Sequence, residues 1–264
     1  MKIAVCVKQV PDTVEIRIDK ATGTLIRDSV PAILNPFDTY AVEEGVQIRE
    51  RLGGEVIVIT MGPLQASEAL YEACGAGADS AVHICDRTVR GSDTFVTANV
   101  LAAAVRKLGG VDLILCGKQA VDGDTAQVGP ELAELLGIPH VAYVKKIREV
   151  TKNFVLCERM VETGVEVIKA GLPAVLTVLK DINTPRLPSF KLKRKAKQNG
   201  ATVWDIAALG LSEDEVGLNG SPTTVLRTFT PETKGSCHIL GGSKEEQISE
   251  LLTVIRSVGA ATEV

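Results

Sequence analysis

Six short apolar runs, Ile3 to Val7, Val56 to Thr60, Ala81 to Cys85, Val111 to Cys116, Val141 to Val144 and Ala174 to Val178, alternate along the chain with stretches of helical periodicity. This alternation predicts an α/β fold built on a doubly wound parallel sheet. The helices are expected over Asp38 to Leu52, Gln65 to Ala76, Asp93 to Leu108 and Glu131 to Leu136, each joining one strand to the next by a right-handed crossover. Ligands of such sheets bind beyond the carboxyl ends of the strands, at the switch point.

With 264 residues, 45% of them hydrophobic, the chain is long enough for one large α/β domain and an appendage. A net charge of -4 and a pI near 5.6 give no broad attraction to nucleic acid or to an acidic membrane surface, although Lys191 to Lys197 is locally basic. The first apolar run is too short for a secretory segment and no later run has the length of a membrane span, so a soluble, cytoplasmic protein is expected. The six cysteines form no Cys-x-x-Cys, and Cys6, Cys85 and Cys116 fall within apolar runs, where a thiol behaves as a small hydrophobe. Disulfides, zinc and iron-sulfur ligation are not expected.

The strongest candidate for a ligand loop follows the fourth run. There Gly117-Lys118-Gln119-Ala120-Val121-Asp122-Gly123-Asp124-Thr125-Ala126-Gln127-Val128-Gly129-Pro130 leads into an amphipathic helix. Gly117 and Gly123 allow close backbone approach, and a helix N-terminus offers unpaired N–H groups to an anion such as pyrophosphate. No P-loop and no Gly-x-Gly-x-x-Gly is present, and an ordinary turn reading of the same loop is equally good. The helix start reads in two ways, as an Asp124/Gln127 capping pair or as Pro130 at the first position. Three further loops, Lys8 to Asp12, Asn35 to Asp38 and Met61 to Pro63, are expected at the same sheet edge. Taken singly, Asp38 reads best as a helix N-cap and Met61 as a gap-filling core residue.

Between Tyr143 and Lys169 short alternating runs split by Thr151-Lys152-Asn153 and Thr163-Gly164 predict an antiparallel meander, and Val14 to Ile18 with Thr24 to Arg27 a surface hairpin. Residues 180–199 read as an irregular, proline-containing loop passing into a basic stretch, with Phe190 exposed as a partner anchor or folded back on the core. Residues 200–234 are rich in turn residues, and an amphipathic helix is expected from Lys244 to Val258. The organisation is therefore a nucleotide-binding α/β domain over 1–183 including the meander at 143–170, a recognition loop over 184–199 and a C-terminal arm over 200–264. No catalytic constellation emerges: His83, His140 and His238 lie far apart, and Asp122 and Asp124, near enough to share Mg²⁺, fit turn roles equally. A nucleotide site without acid–base groups points to a cofactor that carries the chemistry.

Taken in order, Val5-Cys6-Val7-Lys8, Asn35-Pro36-Phe37-Asp38 with Ala41-Val42-Glu43-Glu44, Met61-Gly62-Pro63, Gly77-Ala78-Asp79, Gly117-Lys118-Gln119-Ala120 with Asp122, Pro173-Ala174-Val175, and Pro185-Arg186 leading to Lys195-Ala196-Lys197 resemble the β subunit of electron-transfer flavoproteins nearly end to end. The resemblance implies a Rossmann-like domain paired with an α subunit that holds a redox-active FAD. It also implies an adenine-nucleotide pocket lined by Cys6, Asn35, Pro36, Phe37, Asp38, Met61, Gly62 and the loop from Gly117 to Gly129, with Phe37 near the α-subunit flavin. Partner contacts fall to Arg186, Phe190 and Lys195. Thr13 and Leu187 depart from the family's markers.

Family members of this kind hold either a structural AMP or a second FAD in that pocket. The loop Asp122-Gly123-Asp124-Thr125-Ala126-Gln127-Val128-Gly129 is similar to the FAD-containing, electron-bifurcating type, and Gly123 and Ala126 reduce side-chain bulk in a way consistent with the larger cofactor. The resemblance thus implies FAD reduced by NADH, one electron passing to ferredoxin and the other through the α-subunit FAD to a flavin dehydrogenase of the acyl-CoA-dehydrogenase type. A non-bifurcating carrier with AMP is the alternative, and a nucleotide-sensing module a more distant one.

Overall fold

A computed structural model describes residues 1–12, 31–227, 229 and 237–261, in two units, Met1–Leu226 and Arg227–Val264. The expected hairpin over 14–27, and Thr13, lie outside the described residues.

In chain order the first unit contains β1 (Lys2–Cys6), β2 (Gln9–Pro11), β3 (Ala32–Leu34), α1 (Pro36–Leu52), β4 (Glu55–Met61), α2 (Ser67–Gly75), β5 (Ser80–Ile84), α3 (Thr94–Leu108) and β6 (Leu113–Gly117). It continues with α4 (Val128–Leu136), β7 (His140–Val150), β8 (Phe154–Val161), β9 (Gly164–Gly171), β10 (Ala174–Val178), α5 (Phe190–Asn199), β11 (Thr202–Trp204) and α6 (Gly217–Gly220). The principal sheet runs β11-β5-β4-β1-β6-β10-β7-β8-β9, and β2 pairs with β3 in a small antiparallel ribbon. From β11 to β7 every pairing is parallel, and β8 and β9 add the antiparallel meander. The fold is the doubly wound, Rossmann-like α/β architecture.

Alternation along β1 sorts the core into two layers. Ile3 and Val5 face one layer with α1 and α2, while Ala4 and Cys6 face the other with α3 and α4. Both layers are largely apolar at the sheet, with Thr60, His83 and Thr177 the buried polar side chains named on its strands, which explains why the central strands read as mostly apolar runs. Helix α1 begins with Pro36, whose missing N–H falls where no intrahelical acceptor exists, and it presses Gly45 against Val5, where an added methyl would lie 3.2 Å from Val5 Cγ2. Asp93 caps α3 by accepting the Val96 N–H at 3.0 Å.

Some boundaries differ from the expectation for physical reasons. Val141 to Val144 and the first meander run are one continuous strand, β7, because its first half pairs with β10 and its second half with β8 without a turn between. Residues 200–226 also belong to the first unit. There β11 extends the sheet beside β5, and the following turns return to α3, where Thr223 donates its N–H and hydroxyl to Asp93 at 3.0 and 2.7 Å. In the second unit α7 (Lys244–Ala261) exposes Ile248, Leu251, Leu252 and Ile255, a stripe of one-turn spacing. No helix among the described residues is long and apolar enough to cross a membrane.

Asp93 caps a core helix with one oxygen and holds the returning chain with the other. Replacing it by alanine is expected to lower unfolding stability by about 1–2 kcal/mol and to open residues 217–224 to proteolysis. Urea denaturation and limited digestion of Asp93→Ala check this, and wild-type behaviour in both would contradict it.

Candidate functional site

The sheet changes direction between β1 and β6. From β1 the chain proceeds outward through β4 and β5, then returns to place β6 on the other side of β1, in register with Cys6 opposite Cys116. The helices after these two strands diverge to opposite faces and leave a crevice at the carboxyl ends, where ligands of this architecture bind. The loops after both strands, and the head of α1, meet there.

Their meeting is held by polar contacts. The Lys8 N–H donates to Asp38 Oδ2 at 2.8 Å, and Lys8 Nζ reaches Asp122 Oδ1 at 2.7 Å. Asn35 donates from Nδ2 to the Gln119 carbonyl at 2.9 Å and accepts the Val121 N–H on Oδ1 at 3.1 Å, so a buried side chain staples the α1 loop to the β6 loop. Gly117 passes so close to α1 that an added methyl would meet the Phe37 carbonyl carbon at 2.7 Å and collide with the Asp38 carboxylate. Gly129 is equally confined by the buried Thr177.

Within this arrangement Asp38 is not an N-cap. Asn35 occupies that position, and Asp38 lies inside the first turn, turned inward beneath the loops. Burial pushes its carboxyl up to about 7, against hydrogen bonds from Asn35 and from the backbone of Lys8 and Gly117 and the nearby Lys8 charge. His83, a core residue of β5, sits below its usual range through burial while its Nε2 lies 3.0 Å from the Gly62 carbonyl. Met61 ends β4 beside β1 and packs partly on the core, with Gly62 following it at the same sheet edge.

The loop itself resolves the two readings of its helix start, and neither holds. Helix α4 begins at Val128 with Gln127 at the cap and no side-chain capping bond, and Pro130 is its third residue. Asp124 instead receives a hydrogen bond from the Gln119 amide. Asp122 and Asp124 thus have separate partners, and no cluster of metal-ligating side chains occurs among the described residues. Asp124 and Ala126 have left-handed φ values of 56° and 55°, and Gln127 follows in the right-handed region. Such alternation turns successive N–H groups toward one concavity, an anion-binding nest. The N–H groups of Thr125, Ala126 and Gln127 find no acceptor among the described residues, and beyond its two chain neighbours no atom of those residues lies within 4 Å of where a Gly123 side chain would begin. The chemistry and the space fit a phosphate-bearing nucleotide.

Sequence reasoning set Lys8 in a converging loop without foreseeing its contacts to Asp38 and Asp122, and it gave no role to Tyr143. The latter has φ 60°, donates its N–H to Thr177 Oγ1 at 3.1 Å, and carries Lys118 Nζ 5.6 Å from its ring centre. A register shift between Leu176 and Val178 places it there, and no local motif announces that shift. Phe190 is 80% exposed but opens helix α5 instead of standing on a loop. Leu187, at 92% exposure, stands three residues before it, and Lys195 is exposed on the helix.

Comparison with known proteins gives the family of the chain. The profile of the electron transfer flavoprotein domain matches residues 22–209. The chain belongs to the electron transfer flavoprotein family. It is 45% identical over 258 residues to the electron transfer flavoprotein subunit beta of Thermoanaerobacterium thermosaccharolyticum, covering 97% of this chain and 98% of that one. It is 46% identical over 250 residues to the caffeyl-CoA reductase-Etf complex subunit CarD of Acetobacterium woodii, covering 94% and 95%. Protein FixA of Bradyrhizobium diazoefficiens is 40% identical over 258 residues, 95% of this chain and 90% of that one. The chain's relatives include subunits named as the β subunit of electron transfer flavoproteins.

The raised Asp38 predicts a pH signature. A carboxyl whose folded value exceeds its unfolded one contributes stability that is fully present below about pH 4 and is lost as pH rises through about 7. Asp38→Asn lacks that loss. Its stability relative to wild type should therefore improve by about 2 kcal/mol between about pH 5 and about pH 8, measured by urea unfolding. An unchanged difference at the two pH values would contradict a raised Asp38.

Proposed function

We propose that the chain is the β subunit of a heterodimeric electron transfer flavoprotein whose crevice holds FAD and receives reducing equivalents from NADH. The observation that carries this reading is the nest at Thr125 to Gln127, with three N–H groups that have no acceptor among the described residues, beside an open Gly123 at the switch point. Bound there, FAD supplies hydride acceptance from NADH and one-electron release to ferredoxin and, through an α-subunit FAD, to a flavin dehydrogenase.

The chain's own residues bind and orient. The N–H groups of 125–127 hold the pyrophosphate, aided by the N-terminal end of α4. Lys8 fixes the loop through Asp122, and Asn35 fixes it through Gln119 and Val121. Cys6 and Asp38 floor the crevice, and Phe37, half-buried at the head of α1, faces the same edge. Met61 and Gly62 flank it at the end of β4. In this reading the protein groups bind and orient, and redox chemistry falls to the cofactor.

Two surfaces support protein partners. The apolar stripe of α7 is suited to the α subunit, and the Leu187, Phe190 and Leu192 side chains, exposed among the lysines of α5, are suited to the dehydrogenase. The name of the Acetobacterium woodii relative, which sets it in a complex with a caffeyl-CoA reductase, supports an acyl-CoA-dehydrogenase-type partner.

Anaerobic addition of NADH to the purified heterodimer should bleach flavin absorbance without any dehydrogenase present, and no bleaching would remove the NADH reading. Phe190→Ala should slow electron delivery to the dehydrogenase about tenfold or more at wild-type flavin content. Wild-type kinetics in stopped flow would remove its role as anchor.

A further inference from the structure

The segment leading into α5 is a proline-containing stretch without regular structure, from 179 to 189, yet it starts the helix that bears Phe190 at a fixed place. Arg186 accounts for this. Its Nε donates to Glu43 Oε2 at 2.8 Å, one terminal nitrogen to Glu50 Oε1 at 2.7 Å, and the other to Glu43 Oε1 and Glu50 Oε2, both at 3.1 Å. The Arg186 backbone N–H also reaches Glu43 Oε2 at 3.2 Å. A guanidinium has five N–H donors, and four of these are engaged by two carboxylates on α1. Three residues earlier, Asn183 donates from Nδ2 to the Tyr40 carbonyl and to Glu44, again on α1.

We infer that Arg186 is a positioning residue, a fork that clamps the 183–189 segment to α1 and so fixes the face that α5 presents to a partner protein, without itself contacting the partner. This rests on the reading of α5 as the partner-facing helix.

The relative strength of the contacts decides why Arg186 and not the lysines of α5 sets the position. Lys193 and Lys197 pair with Glu72 and Glu68 of α2, but all four side chains are substantially exposed, and such pairs contribute little. The Glu43 carboxylate is only 5% exposed, and its remaining side-chain partner is Gln47 at 2.8 Å. Removing Arg186 would leave a buried charge poorly compensated, which is costly. Downstream of the clamp the helix is seated by one backbone bond, Ser189 N–H to the Gly75 carbonyl at 2.8 Å, at a point where Gly75 lets Pro188 and Lys193 approach α2 closely. Since α1 also carries Asn35 to Asp38 at its head, one helix positions both the nucleotide crevice and the partner face.

Hydrogen exchange on the full chain, purified with its α subunit, tests the clamp. In Arg186→Gln the amides of 187–194 should exchange about tenfold faster than in wild type, while amides of 117–129 keep their wild-type rates. Arg186→Lys, which keeps the charge but cannot supply the planar fork of four directed bonds to Glu43 and Glu50, should behave alike and carries the test if Arg186→Gln does not fold. Phe190→Ala should leave those amides at wild-type rates, because it removes what is presented and not what holds it. Toward the dehydrogenase, Arg186→Lys should raise KM for the partner at unchanged kcat. Exchange at 187–194 within about twofold of wild type in the arginine variants would overturn the clamp. Faster exchange with an unaltered partner KM would overturn the partner-facing role of α5 and leave the clamp standing.

Discussion

The crossing of the chain from one side of β1 to the other is the constraint on which the site depends. Because β4 and β6 flank β1 in parallel, the segments leaving β1 and β6 must part toward opposite faces, and the polar ends of three loops are left facing one another above a largely apolar sheet. Their backbone groups need partners there. Asn35 satisfies the β6 loop, Asp38 accepts the N–H of Lys8, and Lys8 reaches across to Asp122. The run of N–H groups at 125–127 has no acceptor among the described residues, and it is there that the proposed nucleotide would bind.

Asp38 carries the energetic tension of this arrangement. A carboxyl this deeply buried is disfavoured as an anion, yet its neighbours are donors that favour the anion, and burial wins. The cost is tolerable because the same group joins β1, α1 and β6 at one point. Helix α1 then carries that fixed geometry away from the crevice to Glu43 and Glu50, where it meets Arg186.

The parallel strands were legible because burial on both faces leaves them almost wholly apolar, and the meander because one-sided burial makes Phe154 to Val161 and its neighbours alternate. The convergence of the Lys8, Asn35 and Gly117 loops came from the strand order. The features that were not legible depend on tertiary contact. Helix α5 has no buried face, and its lysines suggested a solvated loop; it is nucleated by Ser189, which accepts the Leu192 N–H, and by its seat on α2. Strand β11 is three residues long, too short for any periodicity. The helical head of α4, the inward turn of Asp38 and the left-handed Tyr143 all arise from packing between segments distant in sequence.

The nucleotide content of the crevice bears most directly on the proposed chemistry. The chain should be purified with its α subunit, denatured, and the released FAD and AMP quantified per heterodimer. Two FAD and no AMP is the expected result; one FAD with one AMP would contradict a redox-active β site and make the crevice a structural nucleotide pocket.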